Sequence, residues 1–334
     1  MIKESGDTMK RLLSGIKPTG DLTLGNYIGA LKQFKDMQKE YETFIFVADL
    51  HALTIYNEPT ELKKKIKDII AIYLSCGLDP KHTTLFIQSE NLYHANLGWI
   101  LECNTYMGEA SRMTQYKEKS GKEKNISVGL LTYPMLMAAD ILMYDADIVP
   151  VGIDQKQHVE LARNIAERFN HKYGETFKIP EPVISRTGAK IYDLQNPTIK
   201  MSKTSDNDKG CIILSEDKEI ARKKIMSAVT DSESIIKYDP ENKPGISNLL
   251  TIYSSLKDIT IEEAEKEFTG KNYGEFKKCV ADLVVDFLTD LQEKYNYYIS
   301  SDLIDKILDE SNKKVQEISS KKIKEVFNKV GVGR

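Results

Sequence analysis

Cysteine is scarce and scattered in this chain. Its 334 residues include four, Cys76, Cys103, Cys211 and Cys279. No two have the short spacing of a zinc knuckle or a redox dithiol, which excludes thiolate metal clusters and points to free thiols in a reducing cytoplasm. Long apolar runs are missing as well: no stretch stays apolar for the roughly 18 residues that a membrane span needs. The first residues, MIKESGDT, are polar and lack the apolar centre of a secretory signal, so Met9 reads as an alternative start. Histidines number five. His51 has no second ligand at the spacing of a helix-borne zinc site and is not read as a metal ligand; His82, His94, His158 and His171 read as surface or packing residues. Neither an internal repeat nor a low-complexity segment is present. A net charge of −3 excludes a protein that coats nucleic acid by bulk charge.

What is present suits two domains of a soluble protein. KRLLSGI reads as a strand, and KPTGD breaks it. TLGNYIGALKQFKDMQKEY then has helical periodicity, with Ile28, Leu31, Phe34 and Met37 on one face. FIFVADLHALT and TTLFIQSE read as further strands, with a helix from about Glu61 to Cys76 between them, stopped by Gly77 and Pro80. This alternation predicts a parallel sheet covered by helices, whose ligands sit beyond the carboxyl ends of the strands. YPMLMAADILMY predicts an apolar helix starting at Pro134, and ADIVPVGIDQKQHVELARNIAERF a strand, a glycine turn and a helix. Beyond Lys209 the pattern is amphipathic helix at 216–229, 261–268, 274–294, 301–309 and 313–329. The boundary is set at 200–210, between an α/β half (1–199) and an all-helical half (211–334). From Asn312 to Arg334 the local net charge is +5, a solvated face or a phosphate-backbone contact.

Three stretches carry polar chemistry. KMSKTSDNDKG is a loop by composition, either a solvated basic turn or a mobile clamp in which two ammonium groups and several hydroxyls reach one polyanion. TLGN meets a helix start, where free N–H groups favour anions, although Thr23 and Asn26 equally suit an ordinary cap. In GIDQ, Gly152 permits close approach, and Asp154 can either accept from ribose hydroxyls or cap the helix after it. In the apolar helix, Tyr133, Met137, Asp140 and Tyr144 share one stripe. A lone carboxylate there needs a donor: either neighbouring protein groups, or the N–H of an indole in a flat apolar pocket.

TLGN and KMSKT, in this order and at this separation, resemble the HIGH and KMSKS signatures of the class I aminoacyl-tRNA synthetases. SGIKPTGDLTLGNYIGAL, LLTYPMLMAADILMYDADIVPVGIDQKQHVELARNIAERFN, AVTDSE and PGISNLL are similar to the bacterial tryptophanyl branch, from about Arg11 to Arg334. The resemblance implies a Rossmann-like catalytic domain, dimer-interface helices around 105–180, a 200–210 loop, and a helical tRNA anticodon-binding domain whose last helix packs back on the catalytic domain. It implies that Lys200, Ser202, Lys203, Thr23 and Asn26 serve catalysis. It assigns ATP to Lys17, Pro18, Thr19, Gly25, Asn26, Gly152, Ile153, Asp154, Ile191, Lys200, Met201, Ser202, Lys203 and Thr204, with Mg²⁺ bridging the phosphates and no metal held by protein side chains. Tryptophan falls to Asp140, Tyr133, Met137, His51 and Gln155. The implied reaction joins tryptophan to ATP, releasing pyrophosphate, and then to tRNA(Trp), in a cytoplasmic homodimer with no membrane contact. The arm from Arg112 to Lys124 is a candidate tRNA-backbone or subunit contact. The rival readings are a tyrosyl-tRNA synthetase, a small nucleotidyltransferase that shares the HIGH-type loop, and a non-catalytic RNA-binding paralogue.

Overall fold

In a computed structural model of the chain, the structure describes residues 9–121, 125–152, 155–184, 189–203 and 208–334. Among these, one parallel sheet contains β1 (Arg11–Ile16), β2 (Glu42–Val47), β3 (Thr83–Ile87), β4 (Ile148–Val151) and β5 (Glu181–Ile184), in the spatial order β3-β2-β1-β4-β5. Successive side chains of a strand point to opposite faces. Phe44 and Phe46 of β2 therefore enter one core with Leu13 and Phe86, while Ile45 and Val47 enter another with Leu12 and Leu85. Helices cover both faces, as parallel connections require. Chain order reverses at β1, which lies between β2 and β4, and the crevice beyond the ends of β1 and β4 is where such sheets bind ligands.

Both cores run past residues 200–210. The first continues through the Pro59–Ser75 helix into Pro244–Lys257 and Tyr273–Ile299. The second takes Val315, Ile323 and Val326 from the C-terminal helix, Leu303–Val330.

Three sequence expectations need correction. The helix expected to start at Pro134 begins at Val128, capped by the Ser127 side chain, and Pro134 lies inside it. The segments expected at 301–309 and 313–329 are one helix, since no glycine or proline separates them. Between the helices expected at 216–229 and 261–268 lies a further one, Pro244–Lys257. Pro244–Gly245 looks like a breaker, yet proline is favoured at a first helical position. Gly245 is required by packing, because a Cβ there would lie 2.0 Å from the Val229 carbonyl oxygen. The basic tail is also partly spent on its own chain. Lys314 pairs with Glu42, Lys321 with Glu317, and buried Lys322 with Asp145.

Candidate active site

A cavity of about 370 Å³ opens at the crevice. Gly15, Ile16 and Lys17 reach it from the end of β1, Val149 to Gly152 from β4, and Ala48 and His51 from beyond β2. Tyr133, Met137, Asp140 and Ile141 come from the Val128–Leu142 helix, and Gln155 from the start of Lys156–Tyr173. Phe46 is folded over Gly15: a Cβ at that position would lie 2.5 Å from the ring. Glycine is thus what lets β1 carry an aromatic floor.

Asp140 is 1% exposed and its carboxylate meets three protein groups. His51 Nε2 lies 2.8 Å from Oδ2, His94 Nδ1 2.6 Å from Oδ1, and Gln88 Nε2 donates to Oδ1 at 2.7 Å. Burial pushes this acid's pKa up. The hydrogen bonds from His51 and His94 more than offset that, leaving it below the ordinary carboxylate value. Two turns earlier on the same helix, Tyr133 Oη donates to Gln115 at 3.0 Å and lies 2.8 Å from His158 Nε2. Burial raises the Tyr133 pKa to about 12, so the phenol stays protonated at neutral pH.

A second cluster forms where the 191–203 segment meets the first helix. Thr23 caps Leu24–Asn26 in a reciprocal box: its hydroxyl accepts from Asn26 N at 3.1 Å, and Asn26 Oδ1 accepts from Thr23 N at 2.9 Å. The ordinary capping role is therefore filled, and the Asn26 amide N–H₂ is left as the donor. The chain continues from this cap as a π-helix, Tyr27–Leu31, a form common at functional sites. Leu24 N donates to Ile212 O and Leu214 N to Leu22 O, both at 2.9 Å, tying the segment after the lysine loop to the cap. Met201 N donates to Ile191 O at 3.0 Å. A Cβ on Gly25 would meet Met201 Cβ at 3.4 Å and Ile191 Cβ at 3.6 Å, so the loop rests directly on the glycine. Lys203 pairs with Asp21, and Lys200 is exposed.

The structure thus brings Tyr133, Met137, Asp140, His51, Gln155, Lys17 and Gly152 to one cavity, and Thr23, Gly25, Asn26, Ile191 and Met201 to one contact. Pro18 and Thr19 lie in the turn between the two, and Ser202 adjoins the second. Tyr144, from the expected stripe, is not on the cavity; it is fully buried, with its hydroxyl on His94. Ile153, Asp154 and Thr204 lie outside the described residues. Two histidines read as ordinary are not: His94 is buried on Asp140, and His158 is buried on Tyr133. Gln88, Gln115 and Gly15 were also missed. Gln88 directly follows β3, and the polar cluster at that strand's carboxyl end was the available signal. Among the described residues, no group of three or more His, Cys, Asp or Glu side chains is placed to hold a metal ion.

Residues 7–289 match the family described as tRNA synthetases class I (W and Y). A tryptophan–tRNA ligase of Oceanobacillus iheyensis is 52% identical over 326 residues, covering 98% of this chain and 100% of that protein. Among solved structures, the tryptophanyl-tRNA synthetase of Mycoplasma pneumoniae superposes with a TM-score of 0.87 at 36% identity, over 98% of this chain and 99% of the other. That of Campylobacter jejuni, solved with ADP and tryptophan, gives 0.83 at 36% identity, over 96% of this chain and 100% of the other.

Proposed function

The chain belongs to the class I tRNA synthetases of the W and Y type, and from that premise we propose that it joins tryptophan to its tRNA by way of tryptophanyl-adenylate. The observation that carries the amino-acid choice is the bookkeeping of Asp140. A carboxylate offers about four lone-pair sites, and three are met by His51, His94 and Gln88. The remaining one belongs to an acid that lines the cavity, and an indole N–H fills it. Phenylalanine offers no donor, so the site rejects it by leaving that acceptor unmet. Tyr133 and Met137 form the apolar wall for the ring, Gln155 faces the substrate's polar end, and Lys17 is placed to join the phosphates.

Adenylate formation needs no covalent nucleophile. The amino-acid carboxylate attacks the α-phosphorus, the bond to the bridging oxygen breaks, and pyrophosphate leaves. Catalysis is then positioning and neutralisation of charge on the departing oxygens. Lys200 and Lys203 supply the cations and Ser202 and Asn26 the donors, while the backbone of Ile191 and Met201 borders the adenine. Gly152 opens the way to the ribose, with Asp154 as its acceptor. ATP enters as its magnesium complex, with the metal carried on the phosphates. A hydroxyl of the tRNA's terminal ribose then takes the acyl group, the acyl–phosphate bond breaks and AMP leaves; the tRNA's anticodon end is assigned to the 211–334 half. No helix of the described residues is long and apolar enough to cross a membrane, and a cytoplasmic setting suits this activity. Tryptophan-dependent exchange of labelled pyrophosphate into ATP is the test. Folded protein that exchanges with tyrosine and not with tryptophan would end this reading, as would protein that binds tRNA and exchanges with neither.

The same reading pairs two copies of the chain. Trp99 is 67% exposed and Leu53 is also exposed; both line one open pocket with Gly129, next to Val128 at 74% exposed, an apolar surface beyond what scattered residues explain. Thr54 and Tyr133 line both this face's shallow pocket and the cavity, so a second copy docked here would brace the substrate wall. Trp99→Asp is expected to halve the mass measured by light scattering. An unchanged mass would move the interface elsewhere.

A further inference from the structure

Asp140 is held from behind by a line of buried side chains that ends on the C-terminal helix. His94 Nε2 lies 2.7 Å from Tyr144 Oη. Asn91 Nδ2 donates to Tyr144 Oη at 2.9 Å and to Ser319 Oγ at 2.9 Å. Ser319 lies in Leu303–Val330 and donates onward to Val315 O at 2.6 Å. Asn91, His94, Asp140, Tyr144 and Ser319 are each no more than 1% exposed.

Counting hydrogens gives the line a direction. Ser319 spends its one hydrogen on Val315 and so accepts from Asn91. The Asn91 amide supplies its two hydrogens to Ser319 and Tyr144. Tyr144, accepting from Asn91, sends its own hydrogen to His94 Nε2. That nitrogen is then an acceptor, and the imidazole's hydrogen sits on Nδ1, aimed at Asp140 Oδ1. A second proton on Nε2 would leave the Tyr144 hydrogen with no acceptor among these groups. From Asn91 onward the three bonds through Tyr144 and His94 all point towards the carboxylate, while Asn91 also donates the other way to anchor on Ser319; the three aligned bonds reinforce one another in a low-dielectric interior.

We propose that His94 is a specificity-determining positioning residue, which fixes the Asp140 carboxylate so that its remaining lone pair faces the cavity. The claim rests on the reading of Asp140 as the acceptor for the indole N–H. The outer torsion of an aspartate is broad and roughly two-fold, so a carboxylate held from one side only can turn its spare lone pair out of the substrate's plane. His94, with Gln88, fixes Oδ1, His51 fixes Oδ2, and together they set the plane. Tyr144 and Asn91 fix the His94 tautomer. Ser319 ties this arrangement to a helix distant in sequence.

The test compares tryptophan with 3-benzothienylalanine, an isostere whose sulfur replaces the ring N–H. The readout is the ratio of their kcat/KM values in pyrophosphate exchange. A role in folding alone would lower both values and leave the ratio unmoved. His94→Leu is expected to lower the ratio about tenfold or more, and Tyr144→Phe about threefold to tenfold, by loosening the acceptor. His94→Asn is expected to restore it to within about threefold, because its amide nitrogen stands near the Nδ1 position. Tyr144→Phe removes a single oxygen and remains readable if His94→Leu fails to fold. Wild-type protein with no preference for the N–H compound would overturn the reading of Asp140 and this proposal with it. A preference that collapses in Asp140→Ala yet persists in Tyr144→Phe and His94→Leu would overturn the role of His94 alone.

Discussion

Asp140→Ala is expected to lose about 3–5 kcal/mol of folding stability, the scale seen when one member of a buried charged network is removed. The variant should also discriminate against phenylalanine about 10- to 100-fold less well. The stability loss follows from what remains. His51, His94 and Gln88 would lose the acceptor they share, since all three are buried and all three meet this one carboxylate. Against a total stability of roughly 5–15 kcal/mol for a protein of this kind, that is a large share. Asp140→Asn keeps one oxygen and most of the shape, and should lose less. The acid also leaves a pH signature. Its native pKa lies below the ordinary value, so the folded state keeps it ionised where the unfolded chain has taken up a proton. Its contribution is therefore complete above the unfolded pKa of about 3.9 and is lost as pH falls through the lower native value. Melting temperatures measured from neutral to acid pH should fall more steeply in the wild type than in the alanine variant at the acid end. Exchange rates with tryptophan and phenylalanine give the selectivity. An unaltered ratio in a folded variant would remove Asp140 from amino-acid selection.

How much of this was legible depends on how local the signal is. The strands announce themselves: β2 and β3 are short apolar runs ending in polar clusters, and the switch-point crevice follows from their parallel order. Asp140 stood out because one charge in an apolar stripe has few explanations. Its partners did not stand out. His94 and Gln88 sit on segments that converge on Asp140 only once β3 is placed in the sheet, and a lone histidine carries no periodic signal of its own. Gly15 and Gly245 are legible as glycines but not as necessities; the Phe46 ring and the Val229 carbonyl that demand them are brought by other elements. The error at Pro134 is of another kind. Proline favours a first turn on average, but here a Ser127 cap had already started the helix at Val128. Merging 301–309 with 313–329 shows a related weakness: periodicity locates the apolar face of a helix better than its ends.

Lys203→Ala is expected to slow adenylate formation about 100- to 1,000-fold, the effect of deleting one preorganised donor to developing charge. The dissociation constant of tryptophan should hardly move. The two effects separate because Lys203 does not line the cavity that holds Asp140, Tyr133 and Met137, but sits on the loop that rests on Gly25 through Met201. Its present partner is Asp21, and both side chains are about half exposed. An ion pair in such a setting is worth about 0–1 kcal/mol, so the lysine is held loosely and a diphosphate bearing several negative charges readily competes for it. Asp21→Asn should accordingly change the exchange rate less than about fivefold, and any change should be a lower KM for ATP, since a competitor for the ammonium has been removed. Single-turnover adenylate formation, with tryptophan binding measured separately, resolves the two variants. A Lys203→Ala protein that forms adenylate at the wild-type rate, or one that loses tryptophan affinity instead, would transfer the neutralisation of the leaving group to Lys200 and Lys17. The sign of the Asp21 effect then tells whether the observed pair is a resting contact that ATP displaces.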